Sequence, residues 1–334
     1  MFSYYLFVCS ITFFSLFSRR IIVTFLLVGG MAFLVCLPST GLDYDYYKQA
    51  FDNSFFSGAF PWFRTNTVIT AEPLYLWYNS AMAVVFQVDF PWFLAFNFLI
   101  CFCMSYFSFS YYKGLSFTLF WVAILPVIFP TIFYFSPRSS ISFFLVLAGV
   151  FLLGRQKVLF ALFSLFLGML LHSQYILFSM FISFSYVVFL STRKMAASSQ
   201  RKAGLLVIVI MASALLSINF VMSFIVSFLG VLPSSDIAVS KLHYLESSRG
   251  GIRITSIMSI LVYPACCWML MRVKKRVGFR FIGDVKHDEI FSYLLVMSVL
   301  FGCIINVVYF GSPHLAGRLS RFSDYFAMGV IVPS

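Results

Sequence analysis

The stretch SPRSSISFFLVLAGVFLLGRQKVLFALFSLFLGMLLHSQYILF, residues 136–178, decides the fold. Two apolar runs flank a short basic turn, and the first run is unbroken from Ile141 to Leu153. A membrane-spanning β-barrel needs strands in which apolar and polar residues alternate, so unbroken runs predict helices. The stretch therefore predicts a helical hairpin in lipid, with His172 at the outer end of the second helix.

The rest of the chain has the same character. It is 61% hydrophobic and only 10% charged, with a mean hydropathy of +0.97, which is far from the composition of soluble domains. Apolar segments, most of them near the roughly 20 residues that a helix needs to cross a hydrocarbon core, recur without a gap for a second folded domain. We therefore predict an all-α, polytopic transmembrane helical bundle, with a single integral membrane domain over residues 1–334. The 10–12 predicted apolar segments are 2–18, 21–37, 73–88, 91–111, 115–135, 139–153, 158–171, 174–191, 204–231, 254–271, 290–310 and a partial one from 322.

Basic residues lie in short clusters between the apolar segments. The formal net charge is +12, but Lys and Arg clustered between spans follow the positive-inside rule and do not indicate a nucleic-acid partner. We therefore place the clusters on the cytoplasmic side and predict external loops at about 38–71, 232–253 and 311–321. The clusters are Arg19 and Arg20; Arg155 and Lys157; Arg193, Lys194, Arg201 and Lys202; and Arg272, Lys274, Lys275, Arg276, Arg280 and Lys286.

The number of segments between the first two basic clusters is odd, although the clusters should share a side. One of these five segments therefore does not span the membrane. Two prolines would break a helix over 115–135, so we predict a re-entrant pair of half-helices there, which puts Lys113 and Arg138 outside. A half-membrane insertion at 73–88 is the competing interpretation, and it would reverse these sides.

The first outer loop and the residues that follow it are acidic and rich in tyrosine. They carry Asp43, Asp45 and Glu72. Aromatic rings cover the apolar faces of sugars, and carboxylates accept hydroxyl hydrogen bonds or a proton, so the loop indicates a sugar site. An interfacial aromatic belt with solvated aspartates stays open as the alternative. The spacing Asp43-x-Asp45 without a third ligand does not predict a metal site, and we expect no cofactor.

His172 and four arginines are the other candidates outside. A histidine at the outer end of a hairpin can act as a general base or bind phosphate when charged, while a turn histidine bonded to a backbone carbonyl is the structural alternative. Guanidinium groups bind phosphate or carboxylate oxygens in a bidentate way, so the arginines indicate an anionic ligand, and headgroup anchoring stays open. These arginines are Arg249, Arg253, Arg318 and Arg321.

Three landmarks resemble one family. The loop that begins at Asp43 and closes with Glu72-Pro73-Leu74-Tyr75 resembles the start of EpsG-like and Wzy-type polysaccharide polymerases. Residues 136–178 are similar to the family's pattern of an Arg that opens a helix, a basic cytoplasmic turn and a short helix ending in His-Ser. The stretch GRLSRFSDYF, residues 317–326, resembles the family's late Arg followed by Tyr-Phe.

The resemblance implies a glycosyltransferase of the bacterial inner membrane, an O-antigen or capsule polymerase. It would join oligosaccharide repeat units carried on undecaprenyl diphosphate at the periplasmic face. The expected partners are these lipid-linked substrates, membrane lipids, a chain-length regulator and a flippase. The end of the first loop also resembles multi-spanning enzymes that use lipid-linked sugars, which favours a GT-C-like architecture.

Joining repeat units carried on undecaprenyl diphosphate needs a base for the acceptor hydroxyl and cations for the leaving diphosphate. The candidates for the base are Asp43, Asp45, Glu72 and His172. The candidates for substrate binding are Arg138, Arg249, Arg253, Arg318, Arg321 and Tyr75.

Two other classes of protein stay open. A polysaccharide repeat-unit flippase or transporter would carry charges across the full membrane depth, whereas here they concentrate at one mouth. A membrane O-acyltransferase that modifies surface polysaccharide would need a histidine deep in a helix and a cytoplasmic acyl-donor site. His172 is predicted too far outward for that role.

Overall fold

The described residues of the computed structural model form helices joined by short turns, and they contain no β-strand. Four of the described helices are long and apolar enough to cross a membrane by length and composition. The predicted all-α, polytopic transmembrane bundle is therefore confirmed. The described residues are 42–57, 73–112, 117, 120, 137–195, 202–217, 254–309, 316 and 319–331.

The helices are numbered along the described residues. They are α1 (Leu42–Ser57), α2 (Pro73–Ser80), α3 (Phe90–Phe109), α4 (Pro137–Gly154), α5 (Val158–Leu171), α6 (Ile176–Thr192), α7 (Lys202–Ser217), α8 (Ile254–Ile257), α9 (Tyr263–Val277), α10 (Val285–Val308) and α11 (Arg321–Ile331). Two π-helical stretches, Ala81–Val85 and Met258–Val262, follow α2 and α8.

The chain divides into two compact units. Unit 1 comprises residues 1–176, 280–285 and 332–334, and unit 2 comprises residues 177–279 and 286–331. The single domain predicted over the whole chain stays a prediction, and each unit is described by itself.

The helical hairpin predicted from residues 136–178 is formed by α4 and α5 in unit 1. The two backbones approach closely at Gly149, where a Cβ atom would lie 2.7 Å from the Leu165 side chain. The Ser164 hydroxyl donates a hydrogen bond of 2.7 Å to the Leu145 carbonyl across the same interface. Small residues and hydroxyls of this kind pack helices tightly in lipid. The hairpin therefore holds the start of α4 and the end of α5 together, opposite the basic turn.

The C-terminal end of α3 lies beside this basic turn. The Tyr112 hydroxyl donates a hydrogen bond of 2.7 Å to the Phe151 carbonyl near the end of α4. The Arg155 guanidinium lies 3.3 Å from the centroid of the Tyr111 ring. Because α4 begins at Pro137, the residues on either side of the segment 113–136 lie at opposite ends of α4, about 20 Å apart.

This arrangement bears on the predicted topology. Re-entrant half-helices at 115–135 need both flanks of the segment on one side, and the described flanks lie at opposite ends of α4. The segment itself lies outside the described residues except for 117 and 120. The competing interpretation, a half-membrane insertion at 73–88, agrees with the position of Tyr112 near the basic turn. It does not agree for Arg138, whose side it would also have reversed. Eight α-helical and five π-helical residues make α2 and its extension about 20 Å long, short of the roughly 30 Å hydrocarbon core. Tyr112, the neighbour of Lys113, thus lies at the basic end of α4, while Arg138 lies at its opposite end.

We expect labelling to separate the two ends of unit 1. Cysteines placed at Ser173 and Ser110, both exposed, mark the outer end and the basic end. In a variant without native cysteines, a membrane-impermeant maleimide added to intact spheroplasts should label Ser173→Cys and should reach Ser110→Cys only after permeabilisation. Equal labelling of both positions in intact spheroplasts would contradict the placement of these two residues on opposite sides of the membrane.

Unit 2 is held by an aromatic core. The Phe178 ring on α6 lies 4.2 Å from the Phe322 ring and 5.3 Å from the Phe301 ring, measured between centroids. Next to it, α10 and α11 approach closely at Gly302, where a Cβ atom would lie 2.9 Å from the Cβ atom of Ser323. This packing fixes the first turn of α11, which carries Arg321.

Candidate functional site

The predicted site residues fall into three groups. Asp43, Asp45, Tyr75, Arg138 and His172 lie in unit 1, and for Asp43 only the backbone is described. Arg321 lies in unit 2. The others, Glu72, Arg249, Arg253 and Arg318, lie outside the described residues.

Part of the acidic first loop is a helix, α1, with one face packed inside unit 1. Tyr44 and Tyr47 are each 5% exposed, and the Tyr44 ring lies 5.4 Å from the Phe90 ring. These two tyrosines therefore belong to the interior, and they are not an interfacial belt. Asp45 is on the exposed face of α1, so its carboxylate does not join them. Asp52 is also engaged elsewhere, by an ion pair of 2.6 Å with Lys48.

Arg138 lies against the buried face of α1. Its guanidinium carbon is 5.8 Å from the centroid of the Tyr47 ring, and that ring packs edge-on against Tyr75 at 6.0 Å. Pro137 occupies the first position of α4, where its fixed backbone angle favours helix initiation, and Arg138 follows in the first turn. Guanidinium and helix N-terminus together favour an anion at this point.

His172 lies at the same end of unit 1. It ends α5, where its backbone N–H donates to the Gly168 carbonyl at 3.1 Å and its carbonyl accepts from the Tyr175 N–H at 3.2 Å. The His172 ring packs edge-on against the Tyr175 ring, 5.9 Å between centroids. The Tyr175 hydroxyl in turn donates to the Ser139 carbonyl at 3.3 Å, one residue after Arg138.

We call Tyr47, Tyr75, Arg138, His172 and Tyr175 the Arg138 cluster. Its members come from α1, α2, α4 and the turn between α5 and α6, which are far apart in the sequence. The structure thus brings three predicted site residues, Tyr75, Arg138 and His172, to one end of unit 1.

Buried amides and a hydroxyl extend the cluster into α2 and α3. The Tyr75 hydroxyl, both side-chain polar atoms of Asn79 and the Asn97 Nδ2 are buried, and none makes a well-formed hydrogen bond within the described part of the chain. Buried polar groups are almost always hydrogen-bonded, so these groups are suited to a polar ligand. Asn79 and Asn97 were not predicted. The signal for them is an amide side chain inside an apolar segment.

The first turn of α11 forms a second polar group, in unit 2. Asp324, one turn after the half-exposed Arg321, accepts a hydrogen bond of 2.7 Å from the Ser320 hydroxyl on one oxygen. The Ser259 hydroxyl donates to its other oxygen. Ser259 lies in the π-helical stretch after α8, and such stretches are frequent at functional sites. No role was predicted for Asp324.

These groups can bind anions and hydroxyls and can move a proton. Arg138 supplies a cation, Tyr75 and Asn79 supply hydrogen-bonding groups, and the His172 imidazole can accept a proton. Among the residues that the structure describes, no group of three or more His, Cys, Asp or Glu side chains could hold a metal ion.

One family model matches the chain. It is that of the EpsG family, and it covers residues 20–334, nearly the whole sequence. No curated protein and no solved structure matches. The GT-C-like architecture favoured by the sequence therefore stays a prediction.

Proposed function

This chain belongs to the EpsG family, a family of polysaccharide polymerases, and we propose that it joins oligosaccharide repeat units at the outer face of the bacterial inner membrane. In this proposal it is a glycosyltransferase of O-antigen or capsule synthesis, and its substrates are carried on undecaprenyl diphosphate. The observation that carries the proposal is the Arg138 cluster. A cation, a buried tyrosine and a histidine converge there at the end of unit 1 opposite the basic turn.

The proposed reaction transfers the growing chain to the next repeat unit. A hydroxyl oxygen of the acceptor sugar forms a bond with the anomeric carbon at the reducing end of the growing chain. The bond between that carbon and the diphosphate oxygen breaks, and the diphosphate leaves with the electron pair. The hydroxyl proton passes to a base on the protein. Positive charge at the diphosphate and a base at the acceptor would each lower the barrier.

The described residues suit these roles. Arg138 would bind the diphosphate oxygens, because its guanidinium is held against the Tyr47 ring at the N-terminus of α4. His172 would accept the proton, and the carboxylates of Asp43, Asp45 and Glu72 stay candidates for the same role. Tyr75 would hold sugar hydroxyls together with Asn79.

Arg249, Arg253, Arg318 and Arg321 stay candidates for substrate binding. A chain-length regulator and a flippase are the protein partners that this activity would require.

The length of surface glycans tests the proposal. In cells that depend on this chain, we expect His172→Ala to leave glycans one repeat long, because acceptor activation is lost while export continues. Tyr75→Phe should reduce polymerisation about tenfold through the loss of a buried hydrogen bond to substrate. Tyr106→Phe, at an exposed ring on α3, is the matched control and should keep full-length glycans.

Other outcomes point to the other classes of protein. Absence of any surface glycan in His172→Ala cells would favour a flippase. Glycans of normal length with altered acylation would favour an acyltransferase, and normal glycans in every variant would contradict a catalytic role for the cluster.

A further inference from the structure

A groove of about 340 Å³ opens in unit 1 at the basic end of α3 and α4. It lies at the opposite end of α4 from the Arg138 cluster, so the proposed polymerisation does not use it. Its wall is mainly apolar, and its most polar feature is a single guanidinium. Among the residues that line it are Met104, Phe107, Tyr111, Phe151, Leu152 and Arg155.

Arg155 is fixed at this groove. Its guanidinium lies 3.3 Å from the centroid of the Tyr111 ring, which holds the charge in one place by a cation–π contact. Arg155 is also half-exposed, so one face stays accessible. By the positive-inside rule this end of α4 lies at the cytoplasmic surface, where the leaflet carries anionic lipids.

The apolar wall faces outward. The Phe107 side chain on α3 is 65% exposed, and the Tyr111 side chain in the turn after α3 is 53% exposed, although both lie in an apolar part of the chain. In a bilayer such surfaces contact acyl chains. The volume lies at the lower end of the roughly 300–1,000 Å³ of ligand pockets, which suits part of one elongated chain.

We propose that this groove binds one anionic phospholipid of the cytoplasmic leaflet. The headgroup phosphate accepts hydrogen bonds from the Arg155 guanidinium, and one acyl chain lies along Phe107, Phe151 and Leu152. Charge complementarity selects an anionic over a zwitterionic headgroup, and the apolar wall selects a lipid over a free phosphate. The lipid fills the space between α3 and α4 and supports the hairpin at its basic end.

Native mass spectrometry of the purified, delipidated full chain tests this site. With phosphatidylglycerol added, we expect one tightly retained lipid per chain, and Arg155→Ala should weaken its binding about tenfold. Phosphatidylcholine with the same acyl chains should bind the unchanged protein weakly. Its affinity should be no higher than that of phosphatidylglycerol for the Arg155→Ala variant. Lys157→Ala is the matched control, because Lys157 is an exposed cation of the same turn that does not line the groove.

Three outcomes would overturn the proposal. An equal loss of bound phosphatidylglycerol in the Arg155→Ala and Lys157→Ala variants would show general attraction to a basic surface. Unchanged phosphatidylglycerol binding in both variants would show that there is no site at Arg155. Preference for undecaprenyl phosphate over phosphatidylglycerol would assign the groove to the carrier lipid. A second variant applies if Arg155→Ala does not fold. Ala148 also lines the groove, so Ala148→Phe keeps the charge and fills the space. Retained phosphatidylglycerol in that variant would also overturn the proposal.

Discussion

Replacing Arg138 with alanine is expected to lower polymerisation at least a hundredfold, so that surface glycans stop at one repeat. The reason is that the leaving diphosphate would lose a fixed cation, and preorganised donors at developing charge are worth about two to three orders of magnitude in rate. The contact with the Tyr47 ring, 5.8 Å from the guanidinium carbon, holds that cation in place before substrate arrives. The measurement is the transfer rate of purified protein with lipid-linked repeat units.

Arg138→Lys separates charge from geometry. A lysine keeps the positive charge but loses the planar fork and the stacking surface, so we expect activity between the unchanged protein and the alanine variant. Arg193→Ala removes an exposed arginine at the end of α6 and should leave the rate unchanged. Full activity of both Arg138 variants would exclude this residue from diphosphate binding.

Replacing Asp324 with alanine is expected to destabilise unit 2 by about 2–3 kcal/mol. Two serine hydroxyls would lose their carboxylate acceptor, and a polar group left without its partner costs about 1–3 kcal/mol. One of them, Ser259, lies in the π-helical stretch, so the change also frees the first turn of α11 from that stretch. Because Arg321 opens the same turn, we expect lower substrate affinity as well as lower stability.

A double-mutant cycle between Ser259 and Asp324 measures this link. We expect the double variant Ser259→Ala/Asp324→Ala to lose less unfolding free energy than the two single variants lose together, by about 1 kcal/mol. Ser217→Ala, at an exposed serine whose hydroxyl donates to the Ser213 carbonyl, should be additive with Asp324→Ala. Urea or thermal unfolding in one detergent provides the data. Additivity in the first pair would mean that the carboxylate does not tie the two segments together.

The hairpin of α4 and α5 was predictable because its signal is local. Two apolar runs and a basic turn define two antiparallel helices, and this order alone places His172 opposite the turn. The family resemblance rested in part on the same stretch, and the family match confirms the resemblance.

The short helix at α2 was harder to predict because its length depends on packing. Residues 73–88 are as apolar as a span, and nothing in hydropathy shows that the helix ends at Val85 through a π-helical stretch. The buried face of α1 also escaped prediction. Tyr44, Tyr47 and Phe51 recur at helical spacing, but the acidic residues between them made the segment look like a loop.

The convergence in the Arg138 cluster is tertiary information. The packing of the Tyr47 ring between Arg138 and Tyr75 joins residues almost a hundred positions apart, and no local pattern encodes that contact. For Asn79 and Asn97 the sequence does carry a signal, a single amide side chain within an apolar run, but this signal is weak.

The short α2 also affects how the chain would behave in gene-fusion mapping. Phe90 follows the turn after α2 and packs against Tyr44 of α1, so this turn lies near the first outer loop. Alkaline phosphatase fused within the first outer loop should be exported and active, and so should a fusion within the turn between α2 and α3. A hydropathy count that treats residues 73–88 as a membrane crossing would place the fusion in this turn in the cytoplasm. That count would also invert the side assigned to every loop between this turn and the basic turn.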